Sequence, residues 1–209
     1  MERFKTLKDH VYEYIEEQIM KGTLLPGERI NENTICEELG ISRTPVREAL
    51  IQLTAEGVLE TKARKGFVIK AVQEKEVIEL YAVIGILDGF AAQLACPALT
   101  EKDFADLDFY VEAGNFEMYR KQQALFHQFY IDRCGNSVLI TALSRVKSKL
   151  FQKPYPDDPE GKMREILYAT NKDHREIVKL FRAHDAEGLF RFLSQVHWTP
   201  VYAPYDIIV

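Results

Sequence analysis

The chain has 209 residues, 46% of them hydrophobic and 28% charged, with a formal net charge of −5 at pH 7, and this length suits two modest domains. Its apolar residues never form the run of about 18 that a membrane span needs, and the first ten residues lack the apolar centre of a signal peptide, so we expect a cytoplasmic protein without a membrane partner. Three cysteines without a CxxC pair argue against a disulfide framework or a cysteine-rich zinc site.

The N-terminal third predicts three helices in succession. The first has an apolar residue at every fourth position, on one face: Leu7, Val11, Ile15 and Ile19. Asn31 can cap a short second helix that ends at Gly40, and Ser42 can cap a third. The third helix has its own apolar stripe, formed by Val46, Ala49, Leu50 and Leu53.

A basic β-hairpin is predicted directly after the third helix. Residues 58–61 and 67–69 read as two short strands around the tip 62–66, whose sequence is KARKG. Residues 42–72 hold 6 Lys or Arg against 3 Asp or Glu, whereas residues 1–41 hold 5 against 9. A positive segment in an acidic chain is typical of a localised contact with phosphate groups.

Three helices followed by a basic hairpin predict a winged helix-turn-helix, in which the third helix enters the major groove of DNA. Arg43, Thr44 and Arg47 lie on the side of that helix opposite its apolar stripe. An arginine fork matches the O6 and N7 atoms of guanine, or phosphate oxygens. The alternative is that both arginines form ordinary surface salt bridges with Glu48 and its neighbours. The third helix, the turn before it and the basic wing together favour DNA binding over surface salt bridges.

Helical patterns fill the rest of the chain. We predict helices near 74–95, 101–112, 116–134, 137–151, 161–182 and 186–198, with three prolines within 154–159 interrupting the series. The predicted fold is mainly α: a winged helix-turn-helix domain at 1–72 and an all-α antiparallel helical bundle at 73–209.

Two segments of the N-terminal domain resemble the GntR family of transcription regulators almost residue for residue. They are GTLLPGERI at 22–30 and LGISRTPVREAL at 39–50. The resemblance implies that Arg43, Thr44 and Arg47 contact operator DNA, assisted by Lys65 and Gly66 of the wing. The family often has an arginine early in the second helix, where this chain has Asn33.

Residues 74–198 resemble the FCD-type effector domain of the FadR-like GntR subgroup. Metal sites in that domain use an aspartate and a histidine one helical turn apart and two later histidines. The matching positions here are His127, His174 and His197, a set suited to zinc or nickel. Gln123 stands where the acidic ligand is expected.

The resemblance also implies that these residues line an effector pocket. The family tends to carry, in the first helix of the domain, an arginine that can grip a carboxylate effector, and Ile84 occupies that position. We therefore expect a non-enzymatic regulator, by default a repressor, that binds a palindromic operator as a homodimer. A small-molecule effector, such as an organic acid, modulates the binding.

Two alternatives remain. In one, the helical domain only dimerises and binds no effector. In the other, the His184-Asp185 dipeptide belongs to a helical metal-dependent phosphohydrolase, which would need further histidine and aspartate ligands around it.

Overall fold

The computed structural model describes residues 6–20, 23–71, 73–111, 116–147, 149–150 and 162–202. The chain forms two compact units. Over the first 147 residues, the boundary between them lies between Val77 and Ile78. The described elements are helices and one two-stranded hairpin, which confirms the predicted fold class. The prolines predicted to break the helical series lie outside the described residues.

The first unit begins with three helices: α1 (Leu7–Met20), α2 (Glu32–Leu39) and α3 (Arg43–Ala55). The side chain of Asn31 caps α2 by accepting a hydrogen bond from the Asn33 N–H at 3.0 Å. Gly40 ends α2 with a positive φ of 64°, a conformation that costs glycine little. Ser42 takes the N-cap position of α3, but its hydroxyl makes no capping bond.

The hairpin consists of β1 (Leu59–Lys62) and β2 (Gly66–Ile69), paired antiparallel. The segment before α2 also pairs with β2, because the Gly27 N–H donates to the Ile69 carbonyl at 2.8 Å and the Ile30 N–H donates to the Phe67 carbonyl at 2.9 Å. This pairing, which the sequence pattern did not predict, fixes the base of the wing beside the start of α2.

Helices follow from residue 74 onward. They are α4 (Glu74–Ala95), α5 (Glu101–Val111), α6 (Phe116–Ile131), α7 (Ser137–Lys147), α8 (Lys162–Arg182) and α9 (Ala186–Phe192). A 3₁₀ turn at Cys96–Ala98 follows α4, and a π-helical turn at Leu193–His197 continues α9. One more 3₁₀ turn lies at Pro200–Tyr202.

Two glycines let α4 lie very close to α9 and the π-helical turn that continues it, which together are called the last helix below. A Cβ atom on Gly85 would lie 3.1 Å from the Cβ of Trp198, and one on Gly89 would lie 2.9 Å from the Phe190 carbonyl oxygen. Among the described residues, α4 is also the one helix long and apolar enough to cross a membrane, but half of its apolar stretch is buried, as in the core helix of a folded domain.

Candidate functional site

The N-terminal half of α3 presents the predicted DNA-reading side chains to solvent. Arg43, Thr44 and Arg47 are exposed. On the opposite side, Val46 and Leu50 are fully buried and hold the helix against α1 and α2. The amphipathic pattern of α3 therefore orients both guanidinium groups away from the core.

Arg47 also forms a salt bridge within the first unit. Its Nε atom lies 3.5 Å from Oε2 of Glu32, and its side chain is still 63% exposed. The partner is a residue of α2 rather than the Glu48 considered from the sequence. Because the contact uses Nε, a bidentate contact to a base would use the two Nη atoms. Asn33 is exposed in the first turn of α2.

The wing tip is exposed and carries its cations on a tight turn. Lys65 and Gly66 are exposed, and Gly66 has a positive φ of 77°. Arg64 is exposed too and takes a left-handed φ of 64°, so the turn projects a cation that the predicted site did not include. Its position between Lys62 and Lys65 in the basic tip would have allowed it to be predicted as a DNA contact.

Three histidines meet inside the second unit. His127 lies on α6, His174 on α8 and His197 at the end of the π-helical turn. The Nε2 atom of His127 lies 3.3 Å from that of His174 and 3.1 Å from that of His197. All three side chains are buried, and one nitrogen from each lies within 4.8 Å of the others. The structure thus brings together the imidazoles selected from the sequence.

Asp88 of α4 is buried directly beside this cluster. Its Oδ2 atom lies 2.8 Å from Nδ1 of His127 and accepts a hydrogen bond from the Trp198 indole N–H at 2.7 Å. Its Oδ1 atom accepts a hydrogen bond from the Tyr130 hydroxyl at 2.9 Å. The Lys147 amine lies 3.9 Å from Oδ2. The carboxylate is thus surrounded by donors.

A second carboxylate faces the cluster from α8. Oδ2 of Asp173 lies 3.4 Å from Nδ1 of His197. The carboxylates at their Nδ1 atoms favour a proton on Nδ1 of His127 and of His197, which would turn an Nε2 lone pair of each ring toward the centre. Two lone pairs 3.1 Å apart repel each other unless a proton or a cation lies between them. The donor set therefore fits a divalent cation.

Burial keeps the imidazoles of His127 and His174 neutral. It lowers the pKa of His127 to about 4, although the negative charge of Asp88 opposes the shift. It also lowers the pKa of His174 well below its usual value, and the adjacent His197 and His127 act in the same direction. Burial alone would raise the pKa of Asp88, but Lys147 and His127 together hold it well below its usual range. Neutral imidazoles beside an ionised carboxylate are the form that binds a metal.

The structure also locates the other predicted pocket residues. Gln123 is half-buried on α6, one helical turn before His127. Ile84 is completely buried in α4, one helical turn before Asp88. The prediction missed Asp88, although it is the one aspartate, glutamate, lysine or arginine between Glu79 and Glu101, and such isolation in an apolar helix was a usable signal.

The dipeptide behind the phosphohydrolase alternative connects two helices. His184 is exposed with a positive φ of 51° after α8, and Asp185 caps α9 by accepting a hydrogen bond from the Gly188 N–H at 2.8 Å. Among the described residues, the histidine cluster that could hold a metal does not include either of them.

Comparisons with known proteins cover both units. The chain matches the model described as bacterial regulatory proteins, gntR family, over residues 7–69, and the FCD domain model over residues 79–196. The HTH-type transcriptional regulator McbR of Escherichia coli K12 is 33% identical over 192 residues, which cover 87% of this chain and 85% of McbR. A probable D-xylose utilization operon transcriptional repressor of Paenarthrobacter nicotinovorans is 28% identical, over 95% of this chain and 88% of that protein.

Other curated relatives are matched over less than two thirds of their length. The Nta operon transcriptional regulator of Aminobacter aminovorans is 44% identical over 88 residues, which is 42% of either chain. The solved structure of E. coli McbR/YncC covers 93% of this chain and 94% of its own, with a TM-score of 0.78 and 24% identity. That last likeness is one of fold.

Proposed function

We propose that this chain, which belongs to the GntR family of bacterial regulatory proteins and contains an FCD domain, is a DNA-binding transcription regulator and not an enzyme. We also propose which residues read the operator and which bind the effector. In this proposal residues 1–72 bind DNA and residues 73–209 bind the effector and dimerise. Two such chains repress transcription from a palindromic operator in the cytoplasm.

The exposed arginines at the start of α3 support the DNA-reading part of the proposal. Arg43, Thr44 and Arg47 enter the major groove, while Lys65 and Gly66 of the wing contact the neighbouring backbone. Asn33, in the first turn of α2, donates a hydrogen bond to a phosphate through its uncharged amide.

Operator affinity measured on single variants tests these assignments. The operator is first selected from random duplexes with the purified protein. Arg47→Ala should then cost roughly 1–3 kcal/mol if the side chain contacts a base in bidentate fashion, and Lys65→Ala should mainly flatten the salt dependence. The control is Lys102→Ala, an exposed lysine of α5, which should change neither quantity. Unchanged binding by both DNA-face variants would exclude this groove assignment.

We also propose that His127, His174 and His197 bind a divalent metal such as zinc or nickel. The observation that carries this proposal is the convergence of three buried Nε2 atoms, two of whose rings have a carboxylate at Nδ1. A bound dication would act as a Lewis acid toward an effector carboxylate. The chain itself supplies three imidazole ligands from separate helices and keeps water away from them by burial.

Two polar side chains of the second unit, Lys147 beside the cluster and Gln122 on the same helix as His127, support an acidic effector. The Lys147 side chain is a quarter exposed, and its amine lies 3.9 Å from Asp88. It can supply the positive charge for an effector carboxylate that Ile84, at the position of the family's arginine, cannot supply. Gln122 of α6 is 7% exposed, and its Oε1 atom has no hydrogen-bond partner among the described residues. A buried acceptor without a partner costs about 1–3 kcal/mol, which an effector donor would recover. A small organic acid with a hydroxyl or amino group matches both.

Calorimetry on chelator-treated protein tests the metal site. Zinc and nickel should each bind with one ion per chain, and His174→Ala should weaken binding strongly because it removes one of three ligands. The matched control, His184→Ala, alters an exposed histidine outside the cluster and should bind as the unmodified protein does. Absence of binding would leave the imidazoles as hydrogen-bonding groups of the pocket. A helical domain that only dimerises would bind neither metal nor organic acid.

A further inference from the structure

Asp88 occupies a position that a charged residue rarely takes. It lies in the middle of the apolar helix α4, and none of its surface is exposed. Burying a carboxylate is costly unless hydrogen bonds and opposite charges replace its water. Its partners come from three other parts of the second unit, on α6, on α7 and directly after the π-helical turn.

The surroundings of the two carboxylate oxygens determine the protonation of His127. Every partner of Asp88 described above can donate a proton, and Oδ2 lies within 2.8 Å of the His127 Nδ1 atom. The Tyr130 hydroxyl, which lies 2.6 Å from the same nitrogen, gives its own proton to Oδ1 and therefore presents only an acceptor to His127. The Nδ1 atom thus faces two acceptors, so the proton resides there and Nε2 is left as a lone pair.

We propose that Asp88 is the positioning residue of the histidine site. It fixes the tautomer and the ring orientation of His127. It also supplies, at the Nδ1 side of that ring, the negative charge that the neutral Gln123 does not bring to the metal. This inference rests on the proposed metal binding. A carboxylate behind a ligating imidazole raises the basicity of the ligand and offsets the charge of a dication.

The substitution Asp88→Asn separates charge from shape. Asparagine has nearly the same volume but only one acceptor oxygen, and its NH₂ group would face a donor. We expect zinc or nickel affinity to fall by about 10–100-fold, the range typical of lost outer-shell carboxylates. The matched control is Asp108→Asn, in which an exposed carboxylate that pairs with Arg182 is neutralised, and its metal affinity should not change.

The tautomer is measured independently of metal. ¹⁵N NMR of the metal-free protein should show His127 protonated at Nδ1, and Asp88→Asn should shift the proton wholly or partly to Nε2. Tyr130→Phe should retain the Nδ1 proton and lose affinity only a few-fold, because Oδ2 of Asp88 remains in place. A purely structural role for Asp88 would lower stability without moving the tautomer.

The possible results separate the two proposals. Equal metal affinity of the unmodified protein and the folded Asp88→Asn variant would overturn the role of Asp88 and leave the metal site standing. If the unmodified protein binds no metal, the metal proposal fails, and the NMR measurement still decides whether Asp88 sets the tautomer. If Asp88→Asn does not fold, an Nε2-protonated His127 in the unmodified protein overturns the role, and an Nδ1 proton that persists in Tyr130→Phe supports it.

Discussion

Single side chains of the histidine cluster make the folded state sensitive to acid. His127 and His174 are buried and neutral, and in the unfolded chain both would regain an ordinary imidazole pKa near 6.5. The difference between the two states becomes a difference in stability, because protons bind the unfolded chain more readily.

We expect the metal-free protein to lose stability as the pH falls from about 6.5 toward 4. The pKa of His127 is about 4 in the folded state, so its contribution to stability is complete above about pH 6.5 and is lost below it. At pH 5 the loss should be of the order of 2 kcal/mol. Urea unfolding at pH 7.5 and pH 5 measures it, and His127→Gln should show a shallower dependence. A variant as acid-sensitive as the unmodified protein would contradict the assignment.

At Gln123, a carboxylate should strengthen metal binding. Gln123 lies one helical turn before His127, so the side chains of positions 123 and 127 project from the same side of α6. Gln123→Asp should therefore bind zinc and nickel more tightly, because the new anion can reach the ion that His127 contacts. Calorimetry on both proteins gives the comparison, and Gln128→Asp, an exposed position of α6, is the control. Equal affinities would show that position 123 does not face the site.

At the scale of helices, the contact between α4 and the last helix sets the geometry of the site. The absence of side chains at Gly85 and Gly89 brings the two backbones together. Asp88 lies between these glycines in the chain and reaches Trp198, the residue next to His197. The position of the third imidazole therefore depends on the closeness of this crossing.

Gly89→Ala should destabilise the protein, contrary to the usual effect of alanine in a helix. Alanine ordinarily gains about 1 kcal/mol over glycine there, but its Cβ would lie 2.9 Å from the Phe190 carbonyl oxygen. We expect a net loss of about 1–3 kcal/mol and weaker metal binding, as the helices move apart. Thermal unfolding and calorimetry measure the two effects. As a control, Ala105→Gly, at an exposed position of α5, should cost about 1 kcal/mol of stability and keep metal affinity.

The elements were predictable where local patterns determine them. Apolar periodicity and capping residues such as Asn31 and Gly40 predicted the helices, and the basic tip predicted the hairpin. The pairing of residues 27–30 with β2 and the hydrogen bonds around Asp88 were not predicted, because they join segments that are distant in the chain. The histidines were found only through the resemblance to a family, since their spacing alone does not distinguish ligands from core residues.

At the scale of the whole molecule, the proposed homodimer needs a contact surface, and we expect one on the solvent-exposed side of α4. It exposes apolar residues at four-residue intervals, an arrangement expected of a helix that packs against another surface. They are Ile78, Ala82, Ile86 and Phe90. A palindromic operator requires two recognition helices related by two-fold symmetry, which a homodimer supplies.

Ile86→Glu should shift the protein from dimer to monomer and weaken operator binding. Ile86 is 51% exposed in the single chain, and a carboxylate buried in a dimer contact would be costly. Sedimentation and operator binding measure the two effects together. Val138→Glu is the control, because Val138 is 77% exposed and is the one exposed large hydrophobic residue among the described residues of α7. If Ile86→Glu remains dimeric, the dimer contact lies on another surface.

The π-helical turn at Leu193–His197 makes the position of the third imidazole tolerant of a change in chain length. A π turn accommodates one residue more than an α-helix does over the same rise. Deleting one residue within it, such as Gln195, would let the segment relax to a regular α-helix that ends in nearly the same place, so His197 would still meet the other two imidazoles. The same deletion in the regular helix α9 would rotate His197 by about 100° around the axis, and only two imidazoles would meet.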